Sequence, residues 1–145
     1  MNAINDTLRF VVLGLLLSQS VAAKRLAPDE WVEAAHSNQE LTTLINVETI
    51  VNDGQFRKAW TLTTWKTEQS VAGNSFRSVM SVELYDCKKR VTATRSAHLY
   101  EGLLGSGKLV HSISVDSAAA KWQEVPPGSP IDSALRLVCM AQIRS

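Results

Sequence analysis

Few residues in this chain have the types and spacing that chemistry needs. The three histidines, His36, His98 and His111, are far apart in sequence. A zinc site or a nucleophilic triad would require distant pieces to converge on them. His98 and His111 flank a hairpin turn, which makes them the nearest approach to a metal pair. Carboxylates are no more distinctive: Asp29 and Glu30 fall in a short leader to the mature chain, and Glu83 and Asp86 should point to opposite faces of one strand, a poor arrangement for paired acid–base work. The stretch Gly102-Leu103-Leu104-Gly105-Ser106-Gly107-Lys108 fits G-x-x-x-x-G-K. A phosphate loop needs Ser or Thr next and then a helix whose N-terminus meets the phosphate. Leu109 follows instead, and the residues after it alternate as a strand does, so the stretch reads as a Gly-rich hairpin turn. No Gly-x-Ser-x-Gly elbow is present. The sequence therefore offers no catalytic set, no cofactor motif and no metal-ligand spacing, and reads as a non-enzyme.

The one concentrated charge is Lys88-Lys89-Arg90, with Arg95 close behind. These four are the candidate partner-binding residues, a docking patch for a polyanion or a matrix protein. Cross-strand neighbours could add Arg57, Lys58 and Arg77. The competing reading is a solvated strand end whose charge discourages edge pairing. The four tryptophans read as core packing rather than a ligand platform. Net charge is only +1 over 145 residues, so no global field recruits nucleic acid or an anionic membrane.

The elements that must position these residues begin after an expected secretory signal at residues 1–23, leaving a domain at 24–145. Arg9 precedes the apolar run Phe10 to Leu17, and small residues through Ala23 follow. That run is shorter than the ~20 residues a membrane-crossing helix needs, so no transmembrane span is expected in the mature chain. Cleavage is placed after Ala23, with Ala22 as the alternative. Export makes the only two cysteines, Cys87 and Cys139, a disulfide by default. Free structural thiols and a metal or redox use are the alternatives.

Trp31 to His36 reads as a first short strand or a helical turn. Leu44 to Val51 is β-rich and runs into Asn52-Asp53-Gly54-Gln55, a tight-turn signal. Phe56 to Trp65 alternates with period two. Residues 68–75 read as a loop. Phe76 to Cys87 reads as the central strand, with an alternation that demands either two covered faces or a bulge. Val91 to Tyr100 and Lys108 to Val115 are further strands. Glu124 to Gly128 is a rigid spacer. The last element is a helix: Ser129 suits its N-cap, Pro130 its first position, and Asp132 complements its dipole. Ile131, Leu135, Val138 and Cys139 form its expected apolar stripe, which Gln142 ends. The fold class is α+β: about six antiparallel strands with a C-terminal helix packed on one face and held by a disulfide. An exposed edge strand would allow a dimer.

Laid out this way, the sequence resembles the bacterial surface-adhesin protein E-like family. The resemblance is carried by Trp31, Val47-Glu48-Thr49-Ile50 with Asp53-Gly54, Ala59-Trp60, Ser78, Tyr85-Asp86-Cys87 with Arg90, Tyr100, Gly105-Ser106-Gly107, Trp122, Pro127 to Ser129 and Cys139. It implies a six-stranded antiparallel sheet tied by a disulfide to a C-terminal helix. It also implies binding of host matrix proteins such as vitronectin and laminin, with Lys88, Lys89, Arg90 and Arg95 in or near the binding region. The chain departs from the family in lacking a lipid-acceptor cysteine near the expected cleavage site, and in placing Asn46 where an aspartate is common. The functional expectation is an exported, non-enzymatic binding module at the cell surface or secreted. The alternative is a periplasmic structural or envelope-stress protein.

Overall fold

The structure, a computed structural model, describes residues 30–37 and 40–143. The expected secretory signal at residues 1–23 lies outside the described residues. Eight strands form one antiparallel sheet: β1 (Trp31–Ser37), β2 (Leu41–Asn46), β3 (Val51–Asp53), β4 (Phe56–Val71), β5 (Asn74–Asp86), β6 (Val91–Tyr100), β7 (Leu109–Ser114) and β8 (Gln123–Glu124). Six of them run in the order β1-β2-β4-β5-β6-β7, while β3 pairs with β4 and β8 with β6. Helix α1 (Pro130–Met140) closes the chain. The meander with a terminal helix is the expected architecture. The two extra strands are short pieces that pairing reveals and periodicity could not.

The β-rich run 44–51 is divided by a 3-10 turn at Val47–Thr49, because the Asn46 side chain accepts from the Glu48 N–H at 3.1 Å. This Asx geometry satisfies the backbone without a ladder. The Thr49 hydroxyl donates to the Asn46 carbonyl at 2.7 Å and accepts from the Trp60 N–H at 2.9 Å, re-anchoring the break to β4. Leu41 to Ile45 pair with Thr61 to Trp65, and Val51 to Asp53 with Phe56 to Lys58, so the expected hairpin exists in two segments.

The loop expected at 68–75 is instead the tip of a long β4–β5 ribbon. Val71 pairs with Asn74. Ala72 (φ 48°) and Gly73 (φ 78°) make a two-residue turn with positive φ at both positions, the geometry that matches strand twist. In the central strand both sequence alternatives occur. Leu84 and Tyr85, on opposite faces, are each 1% exposed, so both faces are covered there. The register against β6 also shifts, with Val82 opposite Ser96 and Glu83 opposite Thr94, which leaves Arg95 as the extra residue.

The helix begins as its sequence requires: the Ser129 hydroxyl accepts from the Asp132 N–H, with Pro130 in the first turn. Its buried face is Asp132, Ala134, Leu135 and Val138. The expected stripe is corrected at Ile131, which is 36% exposed, and at Cys139, which is only partly buried against the core. Leu135 and Val138 pack with Ile45, Ile50, Ala59, Tyr85 and Val125. Burying each such aliphatic side chain contributes about 1.5–3 kcal/mol. The Arg57 guanidinium donates to the Val138 and Ala141 carbonyls at 2.5 and 2.7 Å. It supplies a cation where the helix leaves carbonyls unpaired. The tryptophans are a second correction. None of the four is in the buried core. Trp60 stacks on His98, Trp65 meets Phe76 edge-on, and Trp122 packs on Phe56.

Candidate functional site

The β5–β6 connection carries the basic run. It is built around Asp86, which is 6% exposed. One Asp86 carboxylate oxygen accepts from the Lys88 and Lys89 N–H groups at 3.0 and 2.9 Å, and its carbonyl accepts from the Arg90 N–H at 2.8 Å. Arg90 closes the turn at φ 57°, a conformation non-glycine residues adopt rarely. The Asp-Cys-Lys-Lys-Arg string is therefore a self-capped turn in which every backbone donor after the cysteine has a partner.

Two bonds clamp this turn to the helix. Cys87 and Cys139 form a disulfide with Cα atoms 5.7 Å apart, which leaves no free thiol in the chain. At the other end of the helix, the Arg90 guanidinium pairs with the Asp132 carboxylate. Asp132 is 2% exposed. It also pairs with Arg136 at 3.0 Å and accepts from the Gly128 N–H at 3.0 Å. The Gly128 N–H, aided by Arg90 and Arg136, holds the Asp132 carboxyl below the usual carboxylate range. Asp132 thus ties together the 126–128 spacer, the helix and the basic turn.

The candidate binding residues separate into two kinds. Lys88 and Lys89 are exposed at the turn and form no ion pair among the described residues. Arg90 is committed to Asp132. Arg95, at the β6 bulge, pairs with Asp53 at 3.2 Å, and Lys58 shares that carboxylate at 3.6 Å. Arg57 serves the helix C-terminus, and Arg77 donates to the Lys66 carbonyl beside the β4 irregularity. Arg90 and Arg95 still leave 44% and 41% of their side-chain surface exposed. Sequence reasoning missed Asp53, Asp86 and Asp132 as the partners that organise these cations. Asp86 alone had a signal, since an aspartate two residues before a basic turn can cap it.

The remaining chemical candidates fall apart on geometry. His98 faces Ser112, with 3.0 Å between its Nδ1 and the serine hydroxyl, whereas His111 faces Leu99. The two histidines therefore point to opposite sides of the sheet. Among the described residues no group of three or more His, Cys, Asp or Glu could hold a metal. The Gly102–Lys108 stretch is followed by β7, and it folds back on the sheet. The Ser78 hydroxyl donates to the Gly102 carbonyl at 2.6 Å and accepts from the Gly105 N–H at 2.8 Å. It is a pinned loop with strand geometry after it. No helix among the described residues is long and apolar enough to cross a membrane.

Comparison with known proteins adds to this geometry. The sequence profile of the family described as Surface-adhesin protein E matches residues 31–140. No curated protein matches the chain in sequence. Among solved structures, Haemophilus influenzae protein E is similar at 13% identity and a TM-score of 0.53, covering 76% of this chain and 83% of that one. A second crystal form of Haemophilus influenzae protein E gives 14% identity and a TM-score of 0.55, covering 76% and 87%. Both likenesses are in fold: the sheet, the C-terminal helix and their arrangement.

Proposed function

This chain belongs to the surface-adhesin protein E family, and on that footing we propose that it is an exported, non-enzymatic binding module. It engages a host matrix protein or polyanion through the Lys88-Lys89-Arg90 turn, with Arg95 at the flank. The observation that carries the reading is the state of the turn itself. Lys88 and Lys89 project from a backbone fixed by Asp86, by the disulfide and by Arg90–Asp132. Fixed backbone with two unneutralised ammonium groups is a preorganised anion-docking edge, which loses little further entropy on binding. Electrostatic contacts of this kind act mainly on association rate and weaken with salt.

The test is binding of the protein to an immobilised host matrix protein, comparing wild type with Lys88→Glu/Lys89→Glu. The reading expects a loss of about tenfold or more, centred on the association rate, with unchanged thermal stability. Equal binding by a folded charge-reversed variant would remove the turn from the interface.

A further inference from the structure

Away from the basic turn, a cleft of about 450 Å³ opens between the start of α1 and the helix-bearing face of the sheet. This volume is in the range of small-molecule sites. Its polar lining is mostly hydroxyl, contributed by neighbouring strands, with Glu83, Lys121 and Gln123 beside it. Thr43 and Thr63 lie 3.4 Å apart through their hydroxyls, and Thr61 meets the Tyr85 hydroxyl at 3.2 Å. Ile131 and Ala134 of the helix supply apolar wall. One carboxylate stands in this lining, that of Glu83. Both of its oxygens accept from the Thr94 hydroxyl, at 3.0 and 3.1 Å.

Glu83 has no ion-pair partner among the described residues. Lys121 also lines the cleft but is not within ion-pair distance of it. Burial pushes the Glu83 carboxyl up from its ordinary value, against the smaller opposing effect of the Ser81 and Thr94 hydroxyls. A carboxylate that gives up hydration without gaining a cation is costly, and natural sites relieve that cost by pairing it. The hydroxyls around it can accept the remaining N–H groups of an ammonium, while the helix side takes an alkyl chain.

The geometry points to this cleft as a binding site for a small organic ammonium ion, its charged head on Glu83 and its aliphatic body against Ile131 and Ala134. No residue of the basic turn takes part, so this site stands or falls independently of the adhesive reading.

The test is an NMR titration of the ¹⁵N-labelled protein at neutral pH, with butylamine as the probe and butanol as its neutral counterpart. The expected result is saturable shifts of the Ser81, Glu83, Tyr85 and Thr94 amides with butylamine, and none of comparable size with butanol. Glu83→Gln, which keeps the side chain's shape and removes its charge, should weaken binding by about tenfold or more. Ile131→Trp, at an exposed lining position, should block the cleft with Glu83 intact. The proposal is overturned if butylamine gives no saturable shifts at these amides, if butanol matches it, or if Glu83→Gln binds equally well.

Discussion

Arg90 and Asp132 stand 42 residues apart in sequence and form an ion pair that fastens the basic turn to the first turn of the terminal helix. The disulfide does the same at the helix's far end, from a residue three positions earlier in the same turn. One short β-connection is therefore bolted to both ends of α1. The last cation of the sequence's basic run is a structural strut, and the two lysines before it are left to face solvent.

Removing the Asp132 charge tests the strut. Asp132→Asn leaves Arg90 and Arg136 without their shared partner and should lower the melting temperature. The sign of its pH dependence follows from the direction of the shift. A carboxyl held below its ordinary value of 3.8 stabilises the fold above that value, and the contribution drains away as pH falls through the lower, folded-state value. Wild type should therefore lose stability on acidification in that window, and the gap between wild type and Asp132→Asn should narrow. Thermal melts of both proteins from neutral pH downwards check this.

The disulfide constrains a 52-residue separation, for which loop-closure entropy predicts up to about 4 kcal/mol. Cys87→Ala/Cys139→Ala should lose a large part of that in denaturant unfolding. The wild-type protein should acquire the same midpoint as the variant when reductant is added. Intact mass before and after reduction should differ by two hydrogen atoms, with no free thiol beforehand.

Ser78 is fully buried, and its hydroxyl bridges Gly102 and Gly105. Ser78→Ala orphans a carbonyl and an N–H of the 102–107 loop, which should cost about 1–3 kcal/mol. Hydrogen exchange at the Gly105 amide should accelerate more than exchange in the β4–β5 ladder. Uniform acceleration would mean that the loop is held by other contacts.

Glu83 carries the opposite pH signature to Asp132. Its carboxyl is raised above the ordinary 4.5, so its favourable contribution is present below that value and is lost as pH rises through the higher, folded-state value. Glu83→Gln should be more stable than wild type at neutral pH, and the advantage should vanish below about pH 4.5. Paired melts at two pH values decide it.

Much of the architecture was readable because local rules and tertiary structure agree where it forms. Ser129-Pro130 announced the helix start, Asn52-Asp53-Gly54 announced the hairpin, and two cysteines behind an expected secretory signal announced the clamp. Failures came where the deciding partner is distant or the burial weak. The β4–β5 tip reads as loop because residues 66–71 are mostly exposed, so no apolar alternation marks them, and only cross-strand pairing reveals the strand. The helix stripe was misplaced at Ile131 because Asp132 is polar in sequence. Its burial depends on Arg90, Arg136 and Gly128, none of which a helical periodicity can see. The cleft was invisible for the same reason, since Thr43, Thr61, Glu83 and Thr94 come from four strands and become neighbours only through register.

The central claim is that this protein presents its basic turn to the outside of the cell. Protease shaving or antibody labelling of intact cells, with a periplasmic protein as internal control, tests it most directly. The account predicts that the protein is reached while the control stays protected. Protection until the outer membrane is opened would contradict it, and would place the protein and its partners in the periplasm.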